Sequence, residues 1–187
     1  MYKVPIAYYN EWLKPEEADS LFSYLLKSLP WKQEYIVMYG KKIRLPRLTV
    51  WVGDPEAYYT YSRIKNYPIQ WNIELQAIKV KLTKCFGVEF NSVLVNLYRT
   101  GSDYVGWHRD NEPELGNNPI IASISLGTER KFCFRNCNSQ EKFQLILHNG
   151  SLLLMYGNSQ KDWEHCLPKS PNCISPRINL TFRHIQI

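Results

Sequence analysis

With 187 residues, 44% hydrophobic and 21% charged, the chain has the length and balance of one domain with a buried core, which excludes a disordered or fibrous protein. It has no apolar run of about eighteen residues, and its N-terminus, MYKVPIAYYNEWLKPEE, lacks a basic-then-apolar leader, so no membrane association and a cytoplasmic location (nuclear in a eukaryote) are expected. A net charge of +6, with 13 Tyr and 6 Trp, suits a polyanionic partner, because cations meet phosphates and rings stack on bases, although most of the rings belong to the core.

Residues 15–29, PEEADSLFSYLLKSL, predict an amphipathic helix. Pro15 fits a first turn, Glu16 and Glu17 favour its positive end, Leu21, Phe22, Leu25, Leu26 and Leu29 form one apolar face, and Pro30 stops it. A hairpin follows, with strands Tyr35–Tyr39 and Ile43–Leu45 around a basic tip, Gly40-Lys41-Lys42. After it come the stretch Pro46–Trp51 and the tyrosine-rich Tyr58–Arg63. Residues 70–85 carry Ile73, Leu75, Ala77, Ile78 and Leu82 at closer to helical spacing, with Gly87 past the end.

The second half reads as strands: Ser92–Tyr98, Ile120–Leu126, Lys131–Arg135, Phe143–Leu147, Ser151–Tyr156 and Ile178–Ile185. Six such runs after a helical opening predict an α+β, mainly β protein, a sandwich or barrel of antiparallel strands with helices on one side. Five cysteines, Cys85, Cys133, Cys137, Cys166 and Cys173, form neither a disulfide framework nor a zinc set, and reduced structural thiols are expected. The whole chain is expected to be one domain and a monomer.

Within the stretch Asn96–Asp110, NLYRTGSDYVGWHRD, His108 and Asp110 stand two residues apart, which on extended backbone puts both side chains on one face. Those two and one distant histidine would make a facial triad that leaves three sites of an octahedral iron open. His165 is the candidate third ligand. His148, before the turn signal Asn149-Gly150, is assigned a structural role, and His184 is expected inside the last strand. Near the C-terminus Arg177, Asn179, Thr181 and Arg183 alternate with Ile178, Leu180 and Phe182, a polar row behind an apolar one. Two arginines in a buried row require anions, and guanidinium forks pair dicarboxylates; at a sheet edge both would be solvated instead.

Asn96-x-Tyr98, His108-x-Asp110, His165 and Arg177-x-Asn179-x-Thr181-Phe182-Arg183 together resemble the signature of the AlkB family of iron(II)- and 2-oxoglutarate-dependent dioxygenases, from about Tyr35 to Ile185. HRDNEPELGNNPIIASISLG is most similar to the DNA- and RNA-repairing members. The resemblance implies a double-stranded β-helix (jelly roll) core at about 91–187, N-terminal helices, and a nucleotide-recognition lid at about 31–65. It implies Fe(II) on His108, Asp110 and His165, with O2 and 2-oxoglutarate as cosubstrates and the latter held by Asn96, Tyr98, Arg177, Asn179, Thr181 and Arg183. The implied reaction is oxidative demethylation of N-alkylated bases of the 1-methyladenine and 3-methylcytosine type in alkylated DNA or RNA, giving succinate, CO2, formaldehyde and the restored base.

The same resemblance puts Tyr61 against a flipped base with Tyr59 beside it, Trp51 or Arg47 lining the pocket, Tyr39 wedging into the gap, and Lys41, Lys42 and Arg44 on phosphates. Repair members carry a second acid after the metal aspartate, whereas Asn111 stands here with Glu112 next, which weakens the expected preference for cationic lesions unless Glu112 compensates. Two other readings remain at this point: an oxygenase acting on another substrate, such as a modified RNA base or a protein, and a non-catalytic nucleic-acid-binding module.

Overall fold

The computed structural model describes residues 4–38, 40–61, 64–139 and 141–186, and within these not the side chains of 36–38, 59–61 and 64–66. In chain order the elements are β1 (Ile6–Tyr9), α1 (Pro15–Ser28), β2 (Lys32–Met38), β3 (Lys41–Gly53), β4 (Tyr59–Tyr61), β5 (Ile64–Asn66), α2 (Ile73–Phe86), β6 (Ser92–Tyr98) and β7 (Val105–His108). A 3-10 turn over Pro113–Leu115 precedes β8 (Ile121–Gly127), β9 (Arg130–Asn136), β10 (Lys142–Leu147), β11 (Leu152–Met155), α3 (Ser159–Asp162), β12 (Trp163–Leu167) and β13 (Arg177–Arg183).

Two antiparallel sheets make the sandwich. The larger has the order β1-β11-β8-β13-β6-β3-β2 and the smaller β10-β9-β12-β7, with β4 and β5 as a separate ribbon. This is the mainly β, jelly-roll arrangement with helices to one side. Each strand of the large sheet divides its side chains between two layers. Val50, Val52, Val93, Val95, Ile124, Leu126, Ile178, Leu180 and Phe182 face a core closed by Leu21 and Leu25 of α1 and Leu75, Ile78 and Leu82 of α2. The opposite face meets the small sheet through Ile121, Leu153, Met155, Phe132, Phe134, Trp163 and Leu167.

Local signals explain the helix ends. Pro15 opens α1 and the extended Leu29 closes it. Asn72 caps α2 by accepting from the Leu75 N–H, and Gly87 ends it at a φ of +66°. Ile73, expected on the packing face of this helix, is exposed at its first position. Gly127 ends β8 at a φ of +81°, where a Cβ would sit 2.7 Å from the Phe22 ring, so α1 can approach the sheet only over glycine.

Several boundaries differ from the sequence reading. Lys41 and Lys42 lie in the β2–β3 ladder opposite Met38 and Val37 rather than at a tip, and β3 runs on to Gly53. Pro46 is tolerated there because a ladder can spare one donor where its register shifts. His184 falls just past β13 and is exposed. Strand β13 lies between β6 and β8, so its polar row is central and buried rather than solvated at an edge. Among the described residues no helix is long and apolar enough to cross a membrane. All five cysteines are free, and burial, with Cys133 adjacent, pushes the Cys166 thiol up to about 12.

Candidate active site

The two sheets enclose a cavity of about 260 Å³. Its floor is the polar row of β13 with the strands beside it. Arg177 pairs with Tyr98 and Asn179 with Asn96 across the β13–β6 ladder, so the two sequence motifs are cross-strand neighbours. On the other flank Thr181 lies opposite Ser123 and Asn179 opposite Ser125.

This floor is wired by hydrogen bonds. Asn179 donates to Ser123 Oγ at 2.8 Å and to the Ile124 carbonyl at 3.1 Å, and accepts from Thr181 Oγ1 at 2.9 Å. Arg47 donates from Nε to Asn96 Oδ1 at 2.9 Å. Arg177, only 2% exposed, donates to Ser125 Oγ at 2.9 Å, and its Cζ lies 5.3 Å from the Tyr98 ring centre. Burial lowers the Arg177 guanidinium to about 10, against the pull of Tyr98 and with a push from Arg130. Its Nε and that of Arg183 are buried with no partner among the described residues. Two cations facing one cavity with donors unspent are the chemistry of a dicarboxylate site.

The triad stands on the opposite wall. His165 lies within β12, paired directly with His108 at the end of β7, and their rings are 4.3 Å apart. Asp110 lies two residues beyond the end of β7, with Oδ1 3.9 Å from His108 Nε2. One ligand atom from each of the three lies within 4.8 Å of the others. Ligands at right angles about an ion, each about 2.1 Å away, sit roughly 3 Å apart, so the set is assembled to within about 2 Å of ligation. Oxygen and imidazole donors in this number fit iron(II).

Protonation suits the same role. His108 Nδ1 donates to the Gly106 carbonyl at 2.8 Å, which fixes the tautomer and leaves the Nε2 lone pair free. Burial between Phe132, 5.4 Å away and stacked, and Phe134 lowers His165 to about 3, with the neighbouring His108 adding to the effect. For Asp110 burial alone would raise the carboxyl, but Arg183 at 2.8 Å, with the two imidazoles, holds it below its ordinary value. Asp110 and His165 can thus meet a metal without releasing a proton at neutral pH.

Other expected site residues divide. Trp51 lines the cavity and donates from its indole to the Ala57 carbonyl at 3.0 Å. Glu112 lines the rim 3.8 Å from Arg183 Nη1, and desolvation there, with Asp110 adding, pushes its carboxyl up. Asn111 is exposed and is not part of the cavity wall. The backbones of Tyr59 and Tyr61 form β4, while their side chains, and Tyr39 altogether, lie outside the described residues. Arg44 is exposed and bonds Gln33, and Lys42 stands 4.6 Å over the Tyr35 ring.

The structure also brings in residues that sequence reasoning missed. Ser123 and Ser125 were visible only as polar breaks in a hydrophobic strand. Glu34 and Tyr35 reach the cavity where the β2 register shifts. Gln160, buried in α3, accepts from the Asp110 backbone N–H at 2.9 Å and gave no sequence signal at all. His148, assigned a structural role, pairs with Glu129 at 2.5 Å away from the site.

The sequence profile described as the 2OG-Fe(II) oxygenase superfamily matches residues 5–183. The chain is 42% identical over 180 residues to alpha-ketoglutarate-dependent dioxygenase alkB homolog 3 of Bos taurus, covering 91% of this chain and 62% of that protein. The homolog 3 protein of Homo sapiens is 39% identical over 190 residues, covering 96% and 66%. DNA oxidative demethylase ALKBH2 of Homo sapiens is 36% identical over 180 residues, covering 90% and 69%. The chain therefore spans somewhat under two thirds of the length of the homolog 3 relatives. A solved structure, OsALKBH1, shares the fold at a TM-score of 0.68 with 18% identity, covering 98% of both chains.

Proposed function

The chain belongs to the 2OG-Fe(II) oxygenase superfamily, within its AlkB family, and from that membership we propose that it is an oxidative dealkylase of N-alkylated bases in DNA or RNA. The observation that carries the reading is a cavity in which half-buried His108 and buried Asp110 and His165 meet two buried arginines with unspent donors.

In this reading His108, Asp110 and His165 hold iron(II), with the His165 imidazole neutral and the Asp110 carboxylate charged. Arg177 and Arg183 neutralise the ends of 2-oxoglutarate, while Asn96, Tyr98, Asn179 and Thr181 orient it through a network whose donors are already aimed. Iron(II), 2-oxoglutarate and O2 together supply the oxidation of the N-alkyl carbon. Leu94, Phe132, Met155 and Leu167 give the cavity apolar walls that exclude water from that chemistry.

The base must leave its stack to reach this depth. In this reading Trp51, Tyr59 and Tyr61 serve as its platform, with Tyr39 and Glu112 beside it and segment 31–65 acting as the lid. Lys41, Lys42 and Arg44 contact phosphates, which makes binding salt-dependent. The protein acts as a monomer in the cytoplasm, or the nucleus of a eukaryotic cell, and its free cysteines suit a reducing compartment.

The test is formaldehyde release from a 1-methyladenine oligonucleotide with Fe(II), 2-oxoglutarate and ascorbate, beside His108→Ala. Release that the variant abolishes supports the dealkylase. Succinate formation without formaldehyde points to an oxygenase of another substrate, and nucleic-acid binding without turnover to a non-catalytic module.

A further inference from the structure

The ligand set comes from two segments, and only part of it is fixed by strand pairing. His108 and His165 are locked to each other in the β7–β12 ladder. Asp110 has left that ladder, so its position must be set by something else. One hold acts on its side chain, where Arg183 Nη2 donates at 2.8 Å. That hold draws the carboxylate toward the guanidinium.

The other hold acts on its main chain and comes from α3. The Asp110 N–H donates to Gln160 Oε1 at 2.9 Å, and the preceding residue, Arg109, donates from Nη1 to the Lys161 carbonyl at 3.2 Å. Both acceptors belong to the single turn that runs directly into β12 and so into His165. Gln160 is only 2% exposed, and its amide nitrogen is engaged with Ser159 Oγ at 3.3 Å and Met155 Sδ at 3.5 Å, which keeps the oxygen aimed at Asp110.

We propose that Gln160 is a positioning residue of the metal centre: by gripping the Asp110 main chain from the turn that leads to His165, it sets the separation of these two ligands. The proposal rests on the triad being the iron site. Without this bond the longer Arg109–Lys161 contact is all that holds this main chain to α3, and the pull of Arg183 moves Asp110 away from the imidazoles. Partners one step removed from a metal ligand affect affinity by about 10- to 100-fold.

The test is Mn(II) titration of the metal-free full chain followed by electron paramagnetic resonance. Gln160→Met fills the space but has no oxygen to accept the Asp110 N–H, and it is expected to weaken Mn(II) binding by about 10- to 100-fold. Gln160→Glu keeps an accepting oxygen and is expected to bind close to wild type. In turnover, Gln160→Met raises the KM for Fe(II) while kcat at saturating Fe(II) is largely retained. If Gln160→Met does not fold, Gln160→Asn, too short to reach, takes its place. Binding by the oxygen-lacking variant within about twofold of wild type overturns the proposal, and so does equal loss in Gln160→Met and Gln160→Glu, which would assign the effect to packing. His108→Ala separates the premise from the inference: undiminished Mn(II) binding in that variant overturns the iron site itself.

Discussion

Arg183 donates from Nη2 to Asp110 Oδ1 at 2.8 Å, and both side chains are buried. The last strand and the segment after β7 are therefore joined by a charge pair inside the cavity. Removing one partner of such a pair strands the other charge in a poorly solvated place.

Arg183→Met is accordingly expected to destabilise the metal-free protein by about 3–5 kcal/mol, measured by urea denaturation. It should also raise the Asp110 pKa, because the guanidinium is the largest of the groups holding it down. A loss below about 1 kcal/mol would mean that the pair is effectively solvated.

Arg177 should behave in the opposite way. It has no carboxylate partner among the described residues and an unspent buried Nε, so it weakens the empty fold and serves only an incoming anion. Arg177→Met is expected to leave stability unchanged or raise it, while weakening 2-oxoglutarate binding by at least about 100-fold, roughly the worth of one lost charge-assisted pair. Calorimetric titration beside urea denaturation reads both, and a stability loss of several kcal/mol would refute the argument.

The pH dependence of stability follows from His165. Its folded pKa, about 3, lies below the ordinary 6.5, so between those values the unfolded chain takes up a proton that the folded chain refuses. Stability of the metal-free protein therefore falls as pH drops from 6.5 toward 3. Asp110, held below its ordinary 3.8, adds its own loss only under that value. Thermal midpoints across this range should slope less steeply in His165→Asn than in wild type; parallel slopes would mean that His165 is not the group responsible.

Charge selection at the cavity mouth can be tested on two adjacent residues. Asn111 is exposed and outside the cavity lining, whereas Glu112 is part of it. Asn111→Asp should leave the ratio of activity on 1-methyladenine to that on a neutral lesion such as 1-methylguanine within about twofold. Glu112→Gln should lower that ratio by about three- to tenfold, the worth of one partly screened charge. The reverse ranking would place the selecting group at Asn111.

What could be read in advance follows from periodicity. The alternation in Arg177–Arg183 marked a polar row, whereas its two neighbours in space, Asn96 and Tyr98, were legible only through the family resemblance. His108 and Asp110 were legible as a candidate pair, and it was the resemblance that joined His165 to them as an iron set, since a histidine beside an acid is common on its own. The i, i+2 argument placed Asp110 on a strand; β7 ends at His108, and Asp110 follows it off the ladder with its carboxylate still 3.9 Å from the His108 ring. Gln160 was hidden because its role depends on a backbone N–H it meets across the fold, which no local pattern encodes. The basic hairpin tip was misplaced by the pull of Gly40 on the reading, since the ladder closes immediately around that turn and absorbs both lysines.

Strand β13 is buried on both faces, with hydrocarbon behind it and the guanidinium row in front. A slip of one residue against β6 and β8 would exchange the faces, thrusting Arg177 and Arg183 into the layer under the helices and three apolar side chains into the cavity. No neighbouring register is tolerable, so the arrangement acts as its own proofreader: a chain that has paired this strand wrongly cannot close its core, and a chain that has closed its core has already aimed both arginines.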